Sequence, residues 1–337
     1  NGEPYVVRFK LPDQEEVEVT DLIRGVKTFP VRSLDDFIIV RTDGMPTYNI
    51  AVTVDDATMG ITHVVRGEDH FFGNTPRQVL LYEALGYDVP VFAHMPMILG
   101  SDKSKLSKRH GAFALTEYGE MGFLPEAVVN YMAFLGWSPK TEEEFFTMDE
   151  LIEKFEIKNV NTSPAVFDYE KLKWYNAHYL RSKTEEELFE MVKIELDQKG
   201  FITEERNKEF YLNAFRHAKD YFVLTTDIVP YIENVFSYNG VKDDRLEELK
   251  TPENKILIPA LVEAISNSEE WSPESVLDII RSTGKATKVK GKMLWKPLRT
   301  RMTSEDQGPE IYLVIYMMGK KNVVEILKSI LEKIKGD

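Results

Sequence analysis

Residues 61–99, ITHVVRGEDHFFGNTPRQVLLYEALGYDVPVFAHMPMIL, decide the fold of this chain. The apolar run 61–65 ends at Arg66-Gly67 and reads as a strand. Thr75-Pro76-Arg77-Gln78 then opens a helix, with Thr75 as N-cap, Pro76 as first helical residue and Gln78 three residues after the cap. Leu80, Leu81 and Leu85 lie inside it and Gly86 stands beyond its last turn. Residues 91–99 return to a strand. Strand, helix and strand within about 40 residues predict a βαβ unit of a parallel sheet, whose ligands gather at the carboxyl ends of the strands.

Upstream, residues 5–10 (YVVRFK) and 16–20 (EVEVT) alternate apolar and polar side chains across Pro12-Asp13, which predicts a hairpin. Residues 37–40 (FIIV) form a short strand, Asp43-Gly44-Met45-Pro46 a turn, and residues 48–54 another strand ahead of an acidic turn at Asp55-Asp56. Beyond Gly111 the pattern is helical. Residues 126–135 are apolar nearly all round and predict a buried helix capped by Gly136. Thr147 with Glu150 and Thr184 with Glu187 are capping boxes, while Thr251-Pro252 and Ser272-Pro273 start further helices. Val323, Ile326, Leu327, Ile330, Leu331 and Ile334 share one face of a last helix, and the main boundary falls near residues 179–182.

A length of 337 residues suggests two or three domains at roughly 150 residues each. With 43% hydrophobic and 29% charged residues the chain is a globular one. No apolar run approaches the roughly 20 residues of a membrane span, and no leader pattern opens the chain, so no membrane partner and a cytoplasmic location are expected. The absence of cysteine excludes disulfides, thiolate zinc sites and thiol nucleophiles. The six histidines lack ligand spacing, so no protein-bound zinc is expected and any metal arrives with a substrate. A net charge of -14 opposes indiscriminate nucleic-acid binding but permits a local basic face. The opening on Asn1, within a strand pattern, reads as a processed or truncated chain.

Two basic constellations stand out. Residues 101–111, SDKSKLSKRHG, set Lys103, Lys105, Lys108 and Arg109 among small hydroxyl residues after a predicted strand. Such a loop suits a polyphosphate whose pyrophosphate leaves, although a solvated loop has the same composition. It is not a Walker loop. Near the end, Arg281, Lys285, Lys288, Lys290, Lys292, Lys296, Arg299 and Arg301 follow one another without an acidic residue, and Trp295 is embedded among them. That is an electrostatic footprint for phosphates with a stacking platform, or else a solvated face with Trp295 in the core.

The order of these residues resembles a known family. Lys105-Leu106-Ser107-Lys108-Arg109 resembles the Lys-Met-Ser-Lys-Ser signature of class I aminoacyl-tRNA synthetases, in the form typical of glutamyl-tRNA synthetases. Asp43-Gly44-Met45-Pro46-Thr47-Tyr48, Val54-Asp55-Asp56, residues 59–70 (MGITHVVRGEDH) and His94-Met95-Pro96 resemble the same family in order and spacing. Gly291, Pro297-Leu298-Arg299, Met302-Thr303 and Gly308-Pro309-Glu310 resemble its anticodon-binding motif. The resemblance, to the bacterial-type enzymes, runs along the whole chain. It implies the C-terminal half of a class I Rossmann-type α/β catalytic domain, then a helical connector, then an α-helical anticodon-binding region. The corresponding boundaries are 1–35 for the end of an acceptor-binding insertion, 36–110 for the half domain with its phosphate loop, 111–180 for the connector and 181–337 for the anticodon-binding region.

The resemblance also implies roles. Tyr48, on a strand through Val52, lines the glutamate pocket, although a core tyrosine is the plainer reading. Val52 stands where the family often has Asn. Arg66 binds the amino-acid substrate, although an internal pair with Asp55 or Asp56 is an alternative, and a carboxylate partner is expected in either case. Asp69 and Ile98 contact ATP, as do Lys105, Leu106, Ser107, Lys108 and Arg109, with Lys105 and Lys108 as the catalytic cations. Lys288, Lys290, Lys292 and Arg299 bind tRNA. The implied function is ligation of L-glutamate to tRNA(Glu) through glutamyl-adenylate, using ATP with Mg2+, by a monomer. The family's His-Ile-Gly-His signature is absent from the 337 residues. The chain therefore reads as a part of the enzyme that is inactive alone, or as a tRNA-binding module without catalysis.

Overall fold

A computed structural model describes residues 4–107, 113–238, 245–303 and 308–335. The chain divides into two compact units, residues 1–114 with 126–172, and residues 115–125 with 173–337. The stretch 111–180, expected as one connector, is thus shared between them.

The first unit contains β1 (Val7–Phe9), β2 (Glu16–Asp21), β3 (Gly25–Pro30), β4 (Phe37–Val40), α1 (Tyr48–Thr58), β5 (His63–Gly67), α2 (Thr75–Leu85), β6 (Val91–Met95) and β7 (Ile98–Leu99). Its main sheet has the order β3-β2-β6-β5. Strands β5 and β6 are parallel, with Arg66 opposite His94, and α2 is the crossover between them, as the decisive stretch predicts. Strand β2 buries Val17, Val19 and Asp21 and exposes the residues between. Period two therefore carries Asp21 to the core face, where Val17 and Val19 pack with Phe71, Val79, Leu80, Tyr82 and Phe92.

Three local expectations are corrected. Residues 5–10 and 16–20 do not pair; β1 lies antiparallel to β4, and β2 forms its hairpin with β3. The turn that matters is Asp21 to Gly25, where Asp21 Oδ1 accepts from the backbone N–H groups of Ile23 and Arg24 and Gly25 adopts φ 71°. Residues 48–54 are helix, not strand: the β-branched residues of YNIAVTV mimic a strand, but the Asp43–Pro46 turn and Thr47, extended at the N-cap position, launch α1. Thr75 is the first residue of α2 rather than its cap, since Asn74 precedes it and the Thr75 hydroxyl is used elsewhere.

The chain continues through α3 (Leu115–Glu120), α4 (Pro125–Ala133), α5 (Met148–Lys154), β8 (Ala165–Val166), which pairs with β7, and α6 (Tyr169–Ser182). Helix α4 is not buried all round, because Val129 and Met132 are exposed while Ala127, Val128, Asn130 and Tyr131 are covered. The second unit continues through α7 (Glu185–Gln198), α8 (Lys208–Ala218), α9 (Ile228–Phe236), α10 (Pro252–Ser266), α11 (Pro273–Ala286), α12 (Lys292–Thr303), α13 (Ile311–Met318) and α14 (Lys320–Lys335). The capping boxes at Thr147 and Thr184 are formed, and Thr251 and Ser272 cap α10 and α11. Buried Asn176 secures residues 115–125 within this unit, accepting from Leu124 N at 2.7 Å and donating to the carbonyls of Gly122 and Val223. Helix α13 is buried along nearly its whole length, and α14 packs Val323, Ile326, Leu327, Ile330 and Ile334 inward, with Leu331 half-buried.

Candidate active site

The carboxyl ends of β2, β5 and β6 bring Asp21, Arg66 and His94 together in the first unit. Arg66 is half-buried and its guanidinium is held on several sides. Its Nε donates to His94 Nε2 at 3.2 Å, and its Nη2 donates to Thr75 Oγ1 at 2.7 Å and to Gln78 Oε1 at 2.8 Å. Tyr48 lies near enough to favour its charge, and the guanidinium lies over the Phe92 ring at 5.4 Å. None of these partners is a carboxylate. Among the described residues the expected carboxylate partner is not found: Asp56 attracts Arg66 only at a distance, and it acts on Tyr82 as well. Burial lowers the Arg66 pKa, partly offset by Tyr48 and Asp56, and burial together with Asp56 pushes the Tyr82 phenol up to about 12.

Tyr48 and Val52 remain neighbours after the correction to helix, because residues four apart share a helical face. Tyr48 is half-exposed, and its ring lies 5.9 Å from that of His70. Gln78 Nε2 donates to Asn49 Oδ1 at 3.1 Å, tying α2 to the first turn of α1 beside Tyr48.

The Glu68-Asp69 pair splits into two jobs. Glu68 forms an ion pair with Arg24 and accepts from Met97 N at 3.0 Å, so it joins the hairpin turn to the chain after β6. Asp69 points outward and meets Lys105 Nζ at 3.0 Å, and the bound ammonium holds Asp69 below the usual carboxylate range. A Cβ at Gly67 would lie 2.7 Å from Asp69 Oδ1, so glycine permits this placement. Residues 100–106 fold back on β7: Gly100 N donates to Ser104 O, Leu106 N donates to Ile98 O at 3.0 Å, and Lys103 has φ 62°. The Ile98 carbonyl is thereby used inside the protein. Lys105 is exposed, Leu106 and Ser107 are half-buried, and Lys108 and Arg109 lie outside the described residues. Asp69 and Lys105, expected to serve the same ligand, are thus in contact.

In the second unit, Lys288, Lys290 and Lys292 are exposed where α11 passes into α12, a passage shaped by Lys288 at φ 60° and Gly291 at φ 55°. Arg281, Lys285 and Lys296 are exposed as well. Arg299 is half-buried and donates from Nη2 to Pro309 O at 2.7 Å. Trp295 is half-buried, between the two readings given for it. Arg301 does not belong to the basic face: it is 0% exposed, and none of its guanidinium nitrogens has a hydrogen-bond partner among the described residues. Burial pushes its pKa down to about 9. The period of α12 explains the correction, since Leu294, Leu298 and Arg301 recur on one side and all are buried.

His94, Asp21, Thr75 and Gln78 were not legible as site residues. The signal they did carry was positional: His94 interrupts the apolar strand VFAHM, and Asp21 stands in phase with Val17 and Val19. Among the described residues no group of three or more His, Asp or Glu could hold a metal ion, and no helix is long and apolar enough to cross a membrane.

Residues 1–174 match the family described as tRNA synthetases class I (E and Q), catalytic domain, and residues 180–331 match the anticodon binding domain family. The chain is 40% identical over 336 residues to a glutamate–tRNA ligase of Desulforamulus reducens, covering 98% of this chain and 70% of that protein. It is 42% identical over 336 residues to one of Aquifex aeolicus, with 99% and 70% covered. A glutamate tRNA ligase from Elizabethkingia meningosepticum, crystallised in complex with its amino acid, matches with a TM-score of 0.86 and 33% identity over 98% of this chain and 69% of that one. Fold and matches together define a class I aminoacyl-tRNA synthetase catalytic domain followed by a helical anticodon-binding domain. Within that class the chain belongs to the glutamate–tRNA ligase family, and it spans about 70% of the length of these relatives.

Proposed function

We propose that these residues serve the ligation of L-glutamate to tRNA(Glu) in two steps. In the first, a glutamate carboxylate oxygen attacks the α-phosphorus of ATP and pyrophosphate leaves. In the second, a terminal ribose hydroxyl of the tRNA attacks the glutamyl carbonyl and AMP leaves. The observation that carries the reading is Arg66, a half-buried cation with no carboxylate partner among the described residues. A substrate carboxylate completes such a site, and a guanidinium can meet it with two parallel N–H···O bonds. Tyr48 and Val52 flank it, one with a phenol and an aromatic face, the other with an apolar wall.

Lys105, with Lys108 and Arg109, stabilises charge on the departing pyrophosphate, and Asp69, Ile98, Leu106 and Ser107 complete the ATP side. Mg2+ enters bound to ATP as part of the substrate. Catalysis is by positioning and charge stabilisation, without a protein nucleophile. Lys288, Lys290 and Lys292 meet tRNA phosphates, with Arg299 beside them.

The test is glutamate-dependent ATP–pyrophosphate exchange by the native protein. Lys105→Ala is expected to slow exchange by roughly 10²- to 10³-fold, as for one missing oxyanion donor, with little change in the KM for glutamate. Its thermal stability should be nearly unchanged, because an exposed ion pair contributes about 0–1 kcal/mol. Undiminished exchange by Lys105→Ala would remove the loop from the mechanism.

A further inference from the structure

We propose that His94, fixed by Asp21, is a positioning residue that aims the Arg66 guanidinium at the substrate carboxylate. The inference rests on the reading of Arg66 as the residue that binds this carboxylate. Both groups behind Arg66 are withdrawn from water, His94 at 0% and Asp21 at 3% exposure.

Asp21 is saturated with donors. Its Oδ1 accepts from Ile23 N at 2.9 Å and Arg24 N at 2.8 Å, and its Oδ2 accepts from His94 N at 3.0 Å and His94 Nδ1 at 2.6 Å. Four donors satisfy an ionised carboxylate, and a protonated one would lose one of them. Burial alone would raise the Asp21 pKa, but the hydrogen bonds from His94, Arg24 and Ile23 hold it below the ordinary value. The proton of the imidazole therefore sits on Nδ1.

The other ring nitrogen, Nε2, faces Arg66 Nε at 3.2 Å and the Thr75 hydroxyl at 2.9 Å. Guanidinium N–H groups only donate, so Nε2 presents its lone pair and the ring is neutral. A second proton there would set two donors and two cations against each other. The chain from Asp21 through His94 to Arg66 thus fixes one edge of the guanidinium, while Thr75 and Gln78 fix Nη2. Phe71 and Phe92 hold the imidazole plane, with ring centroids 4.9 and 5.9 Å from it. Orientation matters here because a guanidinium meets a carboxylate in a fork of fixed geometry.

The experiment pairs two substitutions in the native protein with a spectrum of the unaltered one. His94→Asn keeps an N–H near Nδ1 for Asp21 but removes the acceptor for Arg66, and it should raise the KM for glutamate roughly tenfold or more with the KM for ATP little changed. His94→Gln restores an acceptor near Nε2 and should recover most of that loss. Equal damage by both variants, or equal rises in the two KM values, would overturn the proposal. In the unaltered protein the imidazole ¹⁵N spectrum should show His94 protonated at Nδ1 and bare at Nε2; the opposite tautomer would overturn it even if both variants fail to fold. Arg66→Met separates the two readings. If it leaves glutamate use intact, the role of Arg66 itself fails; if it abolishes glutamate use while His94→Asn does not disturb it, only the positioning role fails.

Discussion

Arg66 in the first unit, half-buried, and Arg301 in the second, fully buried, both lack a carboxylate partner among the described residues, yet their surroundings differ. Arg66 is held by His94, Thr75 and Gln78, lies near Tyr48 and keeps part of its surface open. Arg301 lies on the apolar side of α12 with Leu294 and Leu298, with no hydrogen-bond partner among the described residues for any guanidinium nitrogen. Removing a charge from water costs several kcal/mol, which neutral hydrogen bonds offset in part and an apolar wall does not. Burial alone therefore does not mark a binding group. A cation that is hydrogen-bonded, oriented and still lacks a counter-charge is poised for an anionic ligand; one that is merely buried is a liability in stability.

The same substitution at both positions tests this most severely. Arg66→Met should weaken glutamate use by roughly 10²- to 10³-fold, the usual scale for removing one partner of a desolvated ion pair. It should also lower stability by about 1–3 kcal/mol, because Thr75, Gln78 and His94 lose a shared donor. Arg301→Met should do the reverse, raising stability by about 1–4 kcal/mol in chemical denaturation while leaving glutamate kinetics unchanged. A destabilised Arg301→Met would break the comparison.

The second unit offers a contrast between this cation and exposed ones. Replacing Lys288, Lys290 and Lys292 together by alanine should weaken tRNA binding and flatten its salt dependence by about 0.7–0.9 log–log units for each phosphate no longer neutralised. Arg301→Met should leave that slope unaltered. A slope equally flattened in both variants would place Arg301 on the binding face after all.

The smallest effect concerns Asp21, a buried charge with four donors. Its folded pKa is lowered, so the stability it contributes is present above the unfolded value near 3.8 and is lost as pH falls through the folded pKa. Asp21→Asn should be less stable than the unaltered protein at pH 7, with the difference shrinking in acid below about pH 3.8. A difference that is constant through the acid range would mean that Asp21 does not titrate as a paired carboxylate.

The sequence by itself determined the βαβ unit, the capped helices of the second half and the family, because each rests on neighbours in the chain: a Pro and a Gly bracketing α2, Thr with Glu three residues on at Thr147 and Thr184, an apolar stripe on α14. It also placed Tyr48, Arg66, Asp69 and Lys105 among the candidates, and the fold sets Tyr48 beside Arg66 and Asp69 beside Lys105. Only the tertiary structure decided that β2 pairs with β3 rather than with β1, that residues 48–58 are helical despite their β-branched composition, and that Arg301 turns away from the lysines around it. It alone set His94 between Asp21 and Arg66, residues far apart in the chain and joined where β2, β6 and β5 end side by side. Local pattern fixes which backbone hydrogen bonds a segment can make with itself, whereas strand partners, the facing of a helix and the company of a buried charge depend on what the rest of the chain packs against it.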